Sequence, residues 1–194
     1  RGLDGVQNYN GTYDAVHKSL ETFSSGGIKT MATNNLLLTN GTHTFSAWIR
    51  FDSPGAWEGV YGISPNTAFT GNNDVSVLVG TNAFRIETRT SGPYWSDRNY
   101  TFVDGKWVHM VVVYNGTGGL NGFDIYIDTV KLAQGSSTNG TAALNLPTTN
   151  LSVHFGQGSE NSPTAGPTYV LDGGMSSIKF YDTALTFEEI EALY

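Results

Sequence analysis

The sequence predicts an all-β protein, a two-sheet antiparallel sandwich that ends in a short helix. Roughly a dozen short apolar segments, spaced by turns, run through the 194 residues, which is typical of sandwich folds. Residues 107–114 form a β-branched and aromatic run without Gly or Pro, which predicts a strand buried on most of both faces. Residues 123–128 alternate apolar and polar side chains, so a strand with one wet face is expected there. A glycine-rich loop joins these two strands, as expected in the middle of a sandwich.

The remaining strands follow in order along the chain. Residues 44–51 alternate between apolar and polar positions and predict a strand that ends at the turn 52–55. Residues 74–79 and 83–89 flank a Gly-Thr-Asn loop and predict a hairpin. Residues 1–27 show no clear period. Shorter strands are expected at 28–31, 36–38, 130–133, 151–156, 169–171 and 175–181, and loops at 56–73, 91–98, 135–149 and 157–167.

A helix is predicted only at the C-terminal end. Thr186 and Glu189 form a capping box, and Leu185 and Ile190 have the spacing of a hydrophobic staple. The helix should last about two turns. Because no linker, low-complexity tract or repeat divides the chain, residues 1–194 are expected to form one domain.

The composition restricts the classes of partner. The net charge is −7, the 10 Lys and Arg residues are scattered singly, and only 14% of the residues are charged. These features argue against nucleic acid and anionic membranes, and no apolar run is long enough to insert across a bilayer. Without Cys, neither disulfides nor thiolate metal sites are expected. Arg1 in place of Met indicates a processed or excised domain, and an excess of Asn-X-Ser/Thr sites favours an extracellular glycoprotein.

The order of the segments resembles the laminin G-like jelly roll of the concanavalin A-like lectin and glucanase superfamily. Residues 44–51, Thr-Phe-Ser-Ala-Trp-Ile-Arg-Phe, resemble that family's Phe-Thr-Ile-Ser-Ala-Trp-Val strand. Residues 105–114 resemble its Trp-x-His-Val-Ala strand, and residues 125–128 resemble its Leu-Tyr-Val-Asp-Gly hairpin. Residues 172–190 are similar to its closing segment, which contains Ala-Leu-Ser. The resemblance spans about residues 28–194 and implies a single antiparallel jelly roll.

Two positions depart from the family pattern. An Asp-Glu pair of the family's closing strand falls on Ser176 and Ser177, so the metal site that the resemblance implies lacks these acids. The family's Asp-Gly turn becomes Asp128-Thr129. Because Thr tolerates positive φ poorly, this hairpin is expected to use another turn.

Two aromatic-bearing loops form the candidate glycan site. Aromatic faces bind the C–H patches of sugars, and neighbouring polar groups fix the orientation of the sugar. If the loops 53–73 and 91–99 meet at one edge of the sandwich, their side chains would line one groove. The alternative is that some of the aromatic side chains only cover the ends of the sandwich. The candidate carbohydrate-binding residues are Trp57, Glu58, Tyr61, Tyr94, Trp95, Asp97, Arg98 and Asn99. Trp48 and Trp107 lie within strands and are expected in the core, and His109 is expected to make a structural hydrogen bond.

Calcium is the cofactor that the sequence would accommodate. Calcium takes hard oxygen ligands, and the candidate ligands in loops are Asp52, Asp74 and Asp172, although each is also an ordinary turn residue. Glycoside hydrolysis needs two carboxylates roughly 5–10 Å apart. No strand carries an acidic pair at that spacing, so no catalytic residue is predicted, and the alternative is a pair assembled from different strands.

The sequence therefore predicts a non-catalytic, lectin-like recognition module that is secreted, displayed on a cell for adhesion or carried by a virion. Its expected partner is a glycan or glycoprotein. An alternative is a structural domain of a virion or surface filament, because low charge, absence of Cys and neutral loops suit self-association. A glycan-active enzyme is the third hypothesis.

Overall fold

The protein is a sandwich of two antiparallel sheets; in the described part of the chain, sheet A has eight strands and sheet B has seven. The computed structural model describes residues 7–9, 11–14, 19–22, 28–31, 38, 41–52, 54–55, 57–65, 74–89, 93–139, 144, 151–158 and 169–194. Sheet A contains, in spatial order, β1 (Gln7–Tyr9), β4 (Ile28–Met31), β14 (Leu151–Phe155), β6 (Glu58–Pro65), β7 (Asp74–Val79), β8 (Ala83–Arg89), β9 (Pro93–Asn99) and β13 (Gln134–Asn139). Sheet B contains, in spatial order, β12 (Val130–Lys131), β11 (Phe123–Ile127), β10 (Trp107–Tyr114), β5 (His43–Phe51), β15 (Gly173–Tyr181), β3 (Ser19–Thr22) and β2 (Gly11–Asp14).

The hydrophobic core lies between the sheets and follows the predicted period of two. Phe45 on β5 stands opposite Val112 on β10, and both side chains are buried. Sheet A contributes Val77 opposite Ile86, which are also buried. Alternate residues of the same strands therefore face outwards, and the predicted antiparallel sandwich is confirmed.

Several predicted loops contain strands. Strand β6 lies within the segment 56–73 and was not predicted, because Tyr61 and Ile63 alternate with residues of little or no side chain that hid the pattern. Strand β9 overlaps the predicted loop 91–98, and β13 overlaps the predicted loop 135–149. Strands β1, β2 and β3 lie within residues 1–27, where the sequence shows no clear period. The predictions for 36–37, 66–73, 140–143, 145–150 and 159–167 lie outside the described residues.

The turn at Asp128-Thr129 contradicts the prediction of another turn type. Both residues have positive φ, 49° for Asp128 and 69° for Thr129. The neighbouring strand stabilises this backbone, because Asp128 N donates to His109 O at 2.9 Å and His109 N donates to Asp128 Oδ1 at 2.9 Å. These hydrogen bonds offset the steric cost of Thr in the left-handed region.

The C-terminal helix α1 (Phe187–Glu191) begins at the predicted capping box, in which Thr186 and Glu189 exchange hydrogen bonds. It is shorter than the two turns expected. Its buried Ile190 packs against Val111 and Val113 on the outward face of β10. The helix therefore covers the outer face of sheet B near the C-terminal end of β10.

Candidate functional site

The outer face of sheet A carries a cluster of charged and aromatic side chains on β8 and β9. Strand register pairs Arg85 with Asp97 and Glu87 with Trp95. The residues between them, such as Ile86, point into the core. Because side chains alternate across a strand, these two pairs face away from the core together.

Arg85 is held between two indole rings. Its guanidinium carbon lies 4.0 Å from the ring centroid of Trp57 and 4.9 Å from that of Trp95. Its Nε and Nη2 donate to the two carboxylate oxygens of Asp97 at 2.8 and 3.1 Å, a bidentate pair. The Arg85 and Asp97 side chains are only 17% and 8% exposed, so water screens their attraction weakly. We call Trp57, Arg85, Trp95 and Asp97 the sheet A cluster.

Two local features fix the tryptophans of the sheet A cluster. Any Cβ at Gly80 would lie 2.7 Å from the Trp57 ring, so only glycine lets this indole approach the end of β7. Trp95 Nε1 donates to Ser137 Oγ on the edge strand β13 at 3.3 Å. Both indoles remain partly exposed, so each retains surface for a ligand.

The structure brings together only some of the predicted glycan-binding residues. Trp57, Trp95 and Asp97 meet in the sheet A cluster, and Asn99 is exposed further along β9. Arg85 was missed, although it alternates with Phe84 and Ile86 in a predicted strand and so was identifiable as outward-facing.

Both predicted tyrosines belong to the core instead. Tyr61 is fully buried on β6, and its hydroxyl lies 3.0 Å from Nε2 of His43. Tyr94 lies on the inward side of β9 and packs against the core. The period of two turns both rings towards the core, so neither joins the sheet A cluster.

Arg98 does not line a ligand groove, because β9 turns its side chain inward. It is 3% exposed, and its Nη2 donates to the backbone oxygen of Phe123 in sheet B at 2.7 Å. Its Nη1 donates to Ser96 Oγ at 2.7 Å and to the backbone oxygen of Asp97 at 3.0 Å. Arg98 therefore ties the two sheets together and is not available to a ligand.

The three predicted calcium ligands do not share one site. Asp52 N donates to the backbone oxygen of Asp172 at 3.0 Å, and Asp172 N donates to Glu58 Oε2 at 3.0 Å. Asp74 instead begins β7, about 17 Å along that strand from the position opposite Glu58. Within the described ranges no group of three or more His, Asp or Glu side chains is placed to hold a metal.

Glu58 has an unusual environment at this junction of the sheets. Burial, helped by the nearby charges of Asp172 and Asp52, raises the pKa of its carboxyl to about 7, while the hydrogen bond from Asp172 N opposes this rise. Glu58 is therefore a half-buried acid that takes up a proton near neutral pH.

Trp48 and Trp107 also differ from the prediction, because both face outwards from sheet B. They stand opposite His109 and Arg50 in the β5–β10 register and are partly exposed, not core residues. His109 makes the expected structural hydrogen bond, since its Nε2 lies 3.0 Å from Ser46 Oγ. All four tryptophans of the chain thus lie outside the core.

Comparisons with known proteins agree with this architecture. The model of a family described as the concanavalin A-like lectin/glucanases superfamily matches residues 24–191. A search of curated protein sequences found no match.

Solved structures share the fold at low identity. The CBM40 domain of the Ruminococcus gnavus IT-sialidase, bound to α2,3-sialyllactose, superposes with a TM-score of 0.62 and 11% identity over 90% of this chain and 96% of that one. A variant of the NanB sialidase from Streptococcus pneumoniae gives 0.60 and 15% over 86% of this chain, which spans only 28% of the sialidase. A heptameric SAP-like pentraxin from Limulus polyphemus gives 0.55 and 15%, over 89% of this chain and 73% of that chain.

No helix among the described residues is long and apolar enough to cross a membrane.

Proposed function

The chain belongs to the laminin G-like family of the concanavalin A-like lectin/glucanases superfamily, and from that premise we propose that it is an extracellular glycan-binding module. The sheet A cluster is its binding surface. The observation that carries the proposal is the stack of Trp57, Arg85 and Trp95, fixed by the bidentate pair with Asp97. Glycan-bound CBM40 domains with the same fold support this class of ligand.

The chemistry of the sheet A cluster suits a saccharide. The partly exposed indoles present apolar faces for the C–H patches of a sugar ring. Arg85 and Asp97 hold each other in place, so their remaining donor and acceptor positions are preorganised for hydroxyl groups. Little side-chain entropy is lost on binding, which favours affinity.

The charges of this face favour a neutral saccharide. Asp97 neutralises Arg85, so this pair carries no net charge. An anionic sugar would therefore gain no net attraction from it, and α2,3-sialyllactose should bind no better than its neutral counterpart, lactose.

A glycan array tests the proposal. Wild-type protein should bind neutral glycans, and Trp95→Ala should lose most of that signal while keeping its melting temperature. The array is repeated with calcium and with EDTA, because a calcium requirement stays a prediction. Absence of binding to any glycan under both conditions would contradict the proposal.

A second candidate function is glycan hydrolysis, favoured by Glu58. Its carboxyl has a pKa raised to about 7 and lies beside Asp172, an arrangement that general acids use. The test is polysaccharide turnover by wild-type protein and by Glu58→Gln. Turnover that Glu58→Gln abolishes would favour the enzyme, and no turnover on the glycans bound in the array would favour the binding module.

A further inference from the structure

We infer that the protein has a second saccharide-binding surface on the outer face of sheet B. It consists of Trp48, Arg50, Asp52, Trp107 and Tyr194, which we call the sheet B patch. It is independent of the sheet A cluster because the two lie on opposite outer faces of the sandwich.

The register of β5 and β10 builds the sheet B patch. Trp107 stands directly opposite Arg50, and the Arg50 guanidinium carbon lies 5.6 Å from the Trp107 ring centroid. Arg50 Nε and Nη2 donate to Asp52 at 2.9 and 2.7 Å, so the guanidinium is fixed in a bidentate pair. An indole beside an oriented Arg-Asp pair is the same combination of groups as in the sheet A cluster.

A second pair of aromatic rings, Trp48 and Tyr194, belongs to the same patch. Tyr194 stacks on Trp48, with ring centroids 5.7 Å apart and planes inclined by 28°. Strand β15 places Gly174 opposite Arg50 and Ser176 opposite Trp48. Neither residue has a bulky side chain, so β15 places no large group directly beside Arg50 and Trp48.

Helix α1 covers a different part of the same face. Its Ile190 packs on Val111 and Val113, which lie four and six residues after Trp107 along β10. Trp48 and Trp107 remain partly exposed, and Tyr194 is 60% exposed. These three rings are therefore not fully covered by the core or by helix α1.

The size and charge of the sheet B patch select its occupant. A stable protein partner needs about 800 Å² on each side, whereas each aromatic ring here offers about 150–250 Å² in full and two of the three are half-buried. The area matches one or two sugar rings. Asp52 already neutralises Arg50, so the saccharide should be neutral.

Tryptophan NMR separates the two surfaces. The chain has four Trp residues, so a ¹H–¹⁵N spectrum contains four indole signals, which single Trp→Phe variants assign. Lactose, cellobiose, N,N′-diacetylchitobiose and α2,3-sialyllactose are titrated into wild-type protein and into Trp95→Ala. In Trp95→Ala, a neutral disaccharide should still shift the Trp48 and Trp107 signals along a saturating curve.

Substitutions in the sheet B patch complete the test. Trp107→Ala or Arg50→Lys should weaken this second binding event at least about tenfold, whereas Val130→Ala, an exposed apolar residue of the same sheet, should leave it unchanged. If no saccharide shifts Trp48 and Trp107 in a folded protein, the inference is overturned, and the proposed function stands when the Trp57 and Trp95 signals still respond. Shifts confined to Trp48 and Trp107 would instead overturn the assignment of binding to sheet A.

Discussion

The two outer faces of the sandwich carry the same groups in different arrangements. On sheet A, Arg85 and Asp97 come from neighbouring strands, and two indoles enclose the arginine. On sheet B, Arg50 and Asp52 are two residues apart on the chain, and a single indole lies beside the arginine.

The two arginine–aspartate pairs also differ in their exposure to solvent. The Arg85 and Asp97 side chains are 17% and 8% exposed, whereas Arg50 and Asp52 are 22% and 36% exposed. The sheet A pair is therefore better shielded and more firmly preorganised, so the sheet A cluster should be the tighter site.

The largest expected effect is the loss of stability on removing the buried Arg98 side chain. Arg98→Ala should lower the free energy of unfolding by roughly 3–5 kcal/mol, because it leaves buried carbonyls of both sheets without a donor. Lys131→Ala is the control, since its ion pair with Asp124 is exposed and should contribute less than about 1 kcal/mol. Urea unfolding measures both. An Arg98→Ala protein as stable as Lys131→Ala would show that Arg98 does not tie the sheets together.

The next effect concerns a core histidine. Burial lowers the pKa of His43 to about 4, so the folded state binds its proton less readily than the unfolded chain does. Stability due to this group is complete above the unfolded pKa of 6.5 and is lost as the pH falls towards 4, by about 3 kcal/mol. Urea unfolding from pH 7.5 to 4 measures this loss, which His43→Gln should remove.

Glu58 makes the free energy of unfolding depend on pH with the opposite sign to His43. Its folded pKa is raised to about 7, so its contribution is complete below its unfolded value of 4.5 and is lost as the pH rises through 7. Glu58→Gln should therefore make the acid loss of stability steeper than in the wild type. A shallower profile would contradict the environment described for Glu58.

A smaller effect tests the difference between the two faces directly. Trp95→Ala should weaken glycan binding by roughly 1–3 kcal/mol with little change in melting temperature, because the ring is outside the core. Trp107→Ala should affect this binding much less. Isothermal titration with the best neutral glycan of the array compares them, and equal losses in both variants would argue against two separate surfaces.

The smallest expected effect is at the β11–β12 turn. Thr129→Gly should raise the free energy of unfolding by about 1 kcal/mol, because glycine accepts the φ of 69° without a steric penalty. Asp128→Gly is the matched control: it relieves a similar φ but removes the hydrogen bond to His109 N, so its net gain should be smaller. Thermal or urea unfolding measures both, and a destabilised Thr129→Gly protein would contradict this account.

The fold was predictable because its strands follow two sequence patterns. Residues 44–51 and 83–89 alternate apolar and polar side chains, residues 107–114 form a nearly continuous apolar run, and the structure confirms strands at all three places. Strand β6 was not predicted because glycines at 59 and 62 interrupt its apolar pattern. The positive φ of Thr129 was missed because the hydrogen bonds with His109 that stabilise it come from a neighbouring strand.

The candidate site was only partly predictable for a related reason. Trp57, Trp95 and Asp97 were identified from their chemistry, but which side of a strand each residue faces depends on register. Treating β9 as a loop placed Tyr94 and Arg98 together with Trp95, whereas the strand separates them onto opposite faces. The outward positions of Trp48 and Trp107 were not predicted, because tryptophan is largely buried on average and an indole within a strand therefore favours the core.

A crystal structure of the protein with the neutral glycan that binds best on the array would show directly where that glycan lies. We expect a sugar ring to lie against Trp57 or Trp95 and its hydroxyl groups to contact Arg85 or Asp97. A sugar bound only at the junction of Asp52, Glu58 and Asp172, away from both indoles, would show that the sheet A cluster is not the binding surface.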